Sequence, residues 1–257
     1  FLLWFALPVF RGDVLASLLS WHWRPLRGEF GILPMLVGSL CLALSAMLLA
    51  YPLALGICCF VHGAGPARAA RPLMGAVRFM TSVPTVVYGL VSVFLLVPLI
   101  RTTFSLGSGA CLLAAILVLS IMVLPSIINV SETALRAVPR EYEEASLALG
   151  ATAAETYFRV SLHAARSGVA TAVVLGVGRA IGEAMAIIMV AGNVANMPGL
   201  FRSVRFLTTG IISGMSYAPV GSLYQQALFS IGLVLFLFIM LINVVLNVFI
   251  KNKKEGA

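Results

Sequence analysis

Residues 141–183 read EYEEASLALGATAAETYFRVSLHAARSGVATAVVLGVGRAIGE. The first half is polar and helix-forming, with carboxylates at Glu141, Glu143, Glu144 and Glu155; the second half is an apolar run that encloses Arg179 and Glu183. A water-facing connector and a membrane span with charges inside it stand back to back. That pairing points to a protein that passes a push from a soluble partner to a polar site in the bilayer.

Composition sets the class. The chain has 257 residues, 61% of them hydrophobic and 10% charged, with a mean hydropathy of +1.05. Soluble domains carry about a quarter charged residues. So much apolar surface does not fit one water-soluble core, and the chain reads as an all-α, polytopic protein of the lipid bilayer. Lys and Arg outnumber Asp and Glu by 17 to 9. In a soluble protein that excess would suggest nucleic acid; here it reads as topology, because Lys and Arg collect in cytoplasmic loops, and no nucleic-acid partner is expected. Cys41, Cys58, Cys59 and Cys111 lie in or beside apolar runs, with no CxxC and no Cys/His cluster. They read as structural thiols, and no metal site is expected.

Residues 1–10, FLLWFALPVF, are too short to cross a hydrocarbon layer that takes about 20 residues; they read as the end of a first transmembrane helix. Residues 11–30 read as an external loop in which Trp21 and Trp23 flank His22 as interfacial anchors. Residues 31–61 make a span that Pro52 should kink, followed by a short basic loop with Arg68 and Arg71. A span from 73 to 100 contains MTSVPTVVYGL (80–90), where Thr81, Ser82, Pro84, Thr85, Tyr88 and Gly89 form a polar, breakable patch. Helix packing through small residues and the lining of a pore both fit that patch. Spans over 109–130, 168–192 and 227–250 follow, which makes five complete spans. A polar connector fills 131–167, a loop fills 193–226, and 251–257 is the tail. Within the loop, residues 202–215 read as a short re-entrant or interfacial helix. Arg68, Arg71, Arg78, Arg136, Arg140, Arg159, Arg166, Lys251, Lys253 and Lys254 fall on one side, against Arg11, Arg24, Arg27, Arg101, Arg202 and Arg205 on the other. The bias puts the connector and the C-terminus in the cytoplasm.

The connector carries its own start and stop signals. Pro139 suits a first helical turn, Glu141, Glu143 and Glu144 suit the positive end of a helix dipole, and Gly150 suits the left-handed residue that ends a helix. Thr152 and Glu155 are spaced as a capping box for a second helix. A plain join between spans needs only a few residues, and connections of this length are usually functional.

The order Glu144-Ala145-Ser146, three residues, Gly150, nine residues, Val160, one residue, Leu162 resembles the EAA loop of the permease subunits of ABC importers. The family pattern closes on Leu-Pro where this chain has Leu162-His163. The stretches VLGVGRAIGEAMAIIMVAGN, SVPTVVYGL and SLYQQALFSIGLVLF are similar to the phosphate-importer branch of that family, the PstC type, with the PstA type next nearest. The resemblance covers roughly residues 30–250. It implies an all-α transmembrane bundle of the type I importer permease kind over 31–250, with Glu143, Glu144, Ala145, Ser146 and Gly150 seating in an ATP-hydrolysing subunit. It implies as partners a second, PstA-like permease subunit, two ATP-binding subunits and an external phosphate-binding protein in a bacterial inner membrane. The resemblance further implies that phosphate moves inward by alternating access, that ATP is bound by the partner subunits, and that the chain itself needs no cofactor and has no enzymatic activity.

Arg179 and Glu183 are four residues apart and so share a helix face. Arg179 lies about 11 residues into a span that begins at Gly168, ~17 Å deep at 1.5 Å per residue, where a charge costs at least ~2.5–3.5 kcal/mol unless paired or hydrated. A structural ion pair between helices is one reading. The other makes Arg179 the anion contact of a translocation path, since a guanidinium offers two-pronged hydrogen bonds to an oxyanion. Glu183 would then hold Arg179 in place and moderate its pull, and Thr81, Ser82, Thr85 and Tyr88 would line the same path. A permease for sulfate or molybdate is the nearest rival. A membrane-embedded enzyme using Glu183, His62 or His163 would need a second acid or a metal set, and the sequence offers neither.

Overall fold

In hydrocarbon no water is available to backbone N–H and C=O groups, so apolar runs of spanning length become helices. The computed structural model describes residues 18–255; the expected end of a first span over 1–10 and the start of the external loop lie outside them. Among the described residues the sheet is one antiparallel pair, β1 (Trp23–Arg24) with β2 (Glu29–Phe30). Helix α1 (Leu33–Cys59) runs through Pro52 and widens into a π turn at Phe60–Ala64. Then come α2 (Ala67–Ser82), α3 (Thr85–Phe94), α4 (Leu96–Thr103) and α5 (Leu112–Arg136). The connector supplies α6 (Arg140–Ala148) and α7 (Ala153–Ala164), whose middle, Tyr157–Ser161, is a second π turn. Last are α8 (Arg166–Gly182), α9 (Met185–Val190), α10 (Leu207–Met215) and α11 (Leu223–Glu255).

Among the described residues, four segments are long and apolar enough to cross a membrane: Leu33–His62, Thr85–Thr103, Leu112–Arg136 and Leu223–Val245. A fifth exists if α7 and α8, which meet at 79°, count as one. Three span limits need correction. The second span begins at Thr85, not near 73: Arg68, Arg71 and Arg78 make α2 amphipathic, and Pro84 separates it from α3. The span expected over 109–130 continues to Arg136, because Asn129, Ser131 and Thr133 stay helical; the Thr133 hydroxyl donates to the Asn129 carbonyl at 2.8 Å. The last helix starts at Leu223 and runs beyond 250 to Glu255.

The chain divides into two compact units. The first contains, among the described residues, 18–45, 85–119 and 180–242. Its core gathers Leu18, Trp23, Phe30, Ile32 and Met35 with Leu207, Leu228 and Ile231. Trp23 is therefore not an interfacial anchor. Its ring meets the edge of Phe30 at 5.8 Å and tilts against Tyr224 at 6.2 Å, whereas Trp21 is 48% exposed. The Ser39 hydroxyl donates to the Met35 carbonyl and accepts from the Leu207 N–H, which fixes the start of α10 on α1. Gly89 lets α3 lie against α9: a Cβ there would stand 2.8 Å from the Ala186 Cα.

The second unit contains, among the described residues, 46–84, 120–179 and 243–255. Within it α8 lies against α5, with Gly168 on Ala134 and Gly176 on Ile127. All four cysteines are free thiols, and Cys58, Cys59 and Cys111 are buried.

The Gly89 contact gives a first prediction. Gly89→Val pushes backbone against side chain between α3 and α9 and costs roughly 1–3 kcal/mol. The thermal unfolding midpoint of the detergent-purified protein should fall by roughly 2–10 °C; an unchanged midpoint would refute the close approach.

Candidate functional site

The connector is built from local rules. Pro139 stands just before α6 rather than in its first turn, with ψ 131°, and Arg140 is the first helical residue. Glu141 and Glu143 lie in the first turn, where the helix dipole favours carboxylates. At the other end the Leu149 N–H donates to Ala145 and the Gly150 N–H to Leu147. Gly150 takes φ +87°, with open space where a Cβ would sit, so the demand for glycine there is conformational. The Thr152 N–H donates to the Glu155 carboxylate at 2.9 Å and the Glu155 N–H donates back to the Thr152 hydroxyl at 3.3 Å, which completes the capping box.

No residue of α6 is fully buried. Glu143 and Ser146, three residues apart, are its half-buried positions; Glu144, Ala145, Leu147, Ala148 and Gly150 are exposed, and Leu149 is 90% exposed. The Ser146 and Thr156 hydroxyls are 3.0 Å apart. The Glu143 Oε1 accepts from the Ser161 hydroxyl at 2.8 Å and from the His62 Nε2 at 2.7 Å. An ionised carboxylate only accepts, so Nε2 carries the proton on that side of the ring. Burial by itself would raise the Glu143 carboxyl. Hydrogen bonds from His62 and Ser161, with the charges of His62 and Arg140, outweigh it and hold the group below its ordinary value of 4.5. Neither His62 nor Ser161 was legible as a partner of Glu143, because periodicity sees neighbours on one helix and His62 lies 81 residues away.

The translocation-path candidates fall at helix ends. Arg179 is on α8, exposed, and its Nη1 donates to the Ser126 hydroxyl of α5 at 2.8 Å. α8 stops at Gly182, so Glu183 leaves the helix and the expected shared face with Arg179 does not form. The 168–192 span is broken there. Glu183 instead serves the break: its Oε1 accepts from the Ala186 N–H at 3.3 Å, and its carbonyl accepts from the Thr208 hydroxyl at 3.0 Å. Thr81 and Ser82 are exposed and close α2, with the Thr81 hydroxyl on the Arg78 carbonyl at 2.6 Å. Thr85 opens α3, and Tyr88 follows one turn on, both half-buried. Ser126 was the residue the sequence reading missed here. Its signal was its place beside Pro125 in an apolar run.

The pattern of a family described as "Binding-protein-dependent transport system inner membrane component" matches residues 63–252. The chain is 38% identical to a probable ABC transporter permease protein, YqgH, of Bacillus subtilis (strain 168), over 88% of this chain and 75% of that one. It is 32% identical to the phosphate transport system permease protein PstC of Pasteurella multocida (strain Pm70), over 92% of this chain and 81% of that one. Among solved structures it is similar to a chain of the MetNI methionine ABC transporter in an inward-facing conformation. The TM-score is 0.66 at 20% identity, over 90% of this chain and 99% of that chain.

Two predictions follow from the connector. Thr152→Ala removes the cap and costs about 1 kcal/mol, read as a lower unfolding midpoint. For Glu143, the folded carboxyl lies below 4.5, so its stabilisation is full above that value and is lost as pH falls through the lowered one. Glu143→Gln should flatten the acid limb of stability below about pH 4.5. An acid limb that matches wild type would contradict the hydrogen-bonded carboxylate.

Proposed function

The chain belongs to the family of binding-protein-dependent transport system inner membrane components, and from that premise we propose that it is the transmembrane permease subunit of an ATP-driven phosphate importer. It is a multi-pass protein of the inner membrane, with the all-α fold of type I ABC-importer permeases. The observation that carries the coupling role is α6. It is a nine-residue helix with nothing buried that displays Tyr142 and Leu147 outward, with Leu149 just past its end also open, as a surface destined for a soluble partner does. The family works with ATPase and binding-protein partners. The finer composition proposed here is a second, PstA-like permease subunit, two ATP-binding subunits and an external phosphate-binding protein. The connector and C-terminus face the cytoplasm, and ATP chemistry stays in the partners.

Phosphate as cargo is supported by the likeness to the Pasteurella multocida permease and by the chemistry of Arg179. Its guanidinium has five N–H donors and spends one contact on Ser126, which leaves an exposed cation to meet an oxyanion. Closure of the ATPase pair displaces α6 through Glu143, Glu144, Ala145, Ser146 and Gly150, and the spans rock to open the path alternately. Thr81, Ser82, Thr85 and Tyr88 line it. Glu183 shapes the path by capping the turn that follows α8.

The test is uptake of labelled phosphate by cells carrying or lacking the chain, with excess sulfate and molybdate as competitors. Deletion abolishes uptake, and the competitors leave it unchanged in the carrying cells. Arg179→Gln, in a normally assembled complex, lowers uptake about tenfold or more, because a hydrogen bond to a charged group is worth roughly 1.5–3 kcal/mol. Transport of sulfate instead would replace the substrate, and near-normal uptake by Arg179→Gln would remove that residue from the path.

A further inference from the structure

Two π turns in the second unit converge on one oxygen atom. The turn at Phe60–Ala64, where α1 ends, presents His62; the turn at Tyr157–Ser161 presents Ser161. Both meet the Glu143 Oε1, at 2.7 and 2.8 Å. π turns are rare, and they recur at functional sites because the extra residue re-aims the side chains that follow. The surroundings tighten the same junction. The Tyr157 hydroxyl donates to the Leu55 carbonyl of α1 at 3.1 Å, and the Tyr157 ring lies 6.2 Å from the His62 ring. The His62 and Glu143 side chains are 17% and 25% exposed, sheltered enough for the contact to persist.

The alternative route from α6 into the membrane is the backbone. It passes Gly150, in the left-handed conformation, then α7, then a 79° bend before α8. A displacement of α6 along that route is absorbed at the glycine and at the bend. The side-chain route is shorter and stiffer, since α6 buries nothing of its own and its half-buried carboxylate is pinned to the end of α1.

We propose that His62 is a positioning residue for coupling: through the Glu143 Oε1, and with Ser161 on the same atom, it clasps α6 to the end of α1, so that movement of α6 drives α1 directly and not only α8. The proposal rests on reading α6 as the surface that meets the ATPase. His62 contacts neither cargo nor nucleotide and acts through Glu143.

The experiment uses the assembled transporter in proteoliposomes, with import of labelled phosphate and hydrolysis of ATP measured together. His62→Ala keeps assembly and hydrolysis but lowers phosphate imported per ATP about fivefold or more, the lower edge of ordinary coupling free energies. His62→Gln, whose side-chain amide replaces the Nε2–H donor, restores most of that ratio. The double variant His62→Ala/Glu143→Ala is no worse than the poorer single one, because both remove the same clasp. A wild-type ratio in His62→Ala overturns the proposal, and so does full additivity in the double variant. Leu149→Asp checks the underlying reading separately. Loss of ATPase association in that variant upholds α6 as the docking surface, so that a wild-type ratio in His62→Ala then sinks the clasp alone. Retained association overturns the reading and the clasp's role in coupling with it.

Discussion

Backbone groups that enter hydrocarbon must find partners inside the protein, and the helix breaks are where this constraint is most visible. When α8 stops at Gly182 and α9 begins at Met185, the intervening groups need donors and acceptors. The Glu183 carboxylate takes the Ala186 N–H, and the Thr208 hydroxyl takes the Glu183 carbonyl. The two π turns are tied to their surroundings by side chains. The Tyr157 hydroxyl reaches the Leu55 carbonyl just before α1 widens, and the side chains that the turns re-aim settle on Glu143. At the break after Gly182, irregular backbone comes with side chains that complete it.

That principle gives Glu183 a second occupation. A carboxylate inside an apolar run reads from sequence as a charge that needs a partner, and Arg179, four residues earlier, was the natural choice. The spacing argument holds only while the helix continues. Gly182 marked its end, but glycine among small residues also reads as close helix packing, as Gly176 on Ile127 illustrates. Arg179 instead rests on Ser126, which leaves it exposed and cationic.

What was legible in the sequence follows the range of each interaction. Gly150 and the Thr152–Glu155 box are set by residues within one turn, and their chemistry names their geometry. The spans near 31–61 and 109–130 were legible because long apolar runs leave little choice, whereas the break inside 168–192 was not. The α2 boundary was less so: a hydropathy run blurs an amphipathic helix into the span behind it, although Arg68, Arg71 and Arg78 were the signal that it is not lipid-facing all round. The Ser126 and His62 contacts depend on how distant segments meet. Nothing in the spacing of residues 53 or 81 positions apart encodes them.

Of the most apolar 18 residues only 11% are buried within Thr85–Thr103 and 22% within Leu223–Val245, against 61% within Leu112–Arg136. Phe94, Leu95 and Leu99 on the first, and Phe236, Leu237 and Leu241 on the second, stand largely open. Lipid tails are as apolar as these side chains, so no water-driven force hurries the surfaces into contact with another helix. A newly inserted copy can therefore wait in the bilayer without aggregating. Its biogenesis becomes a matter of encounter and fit rather than of rescue from exposure.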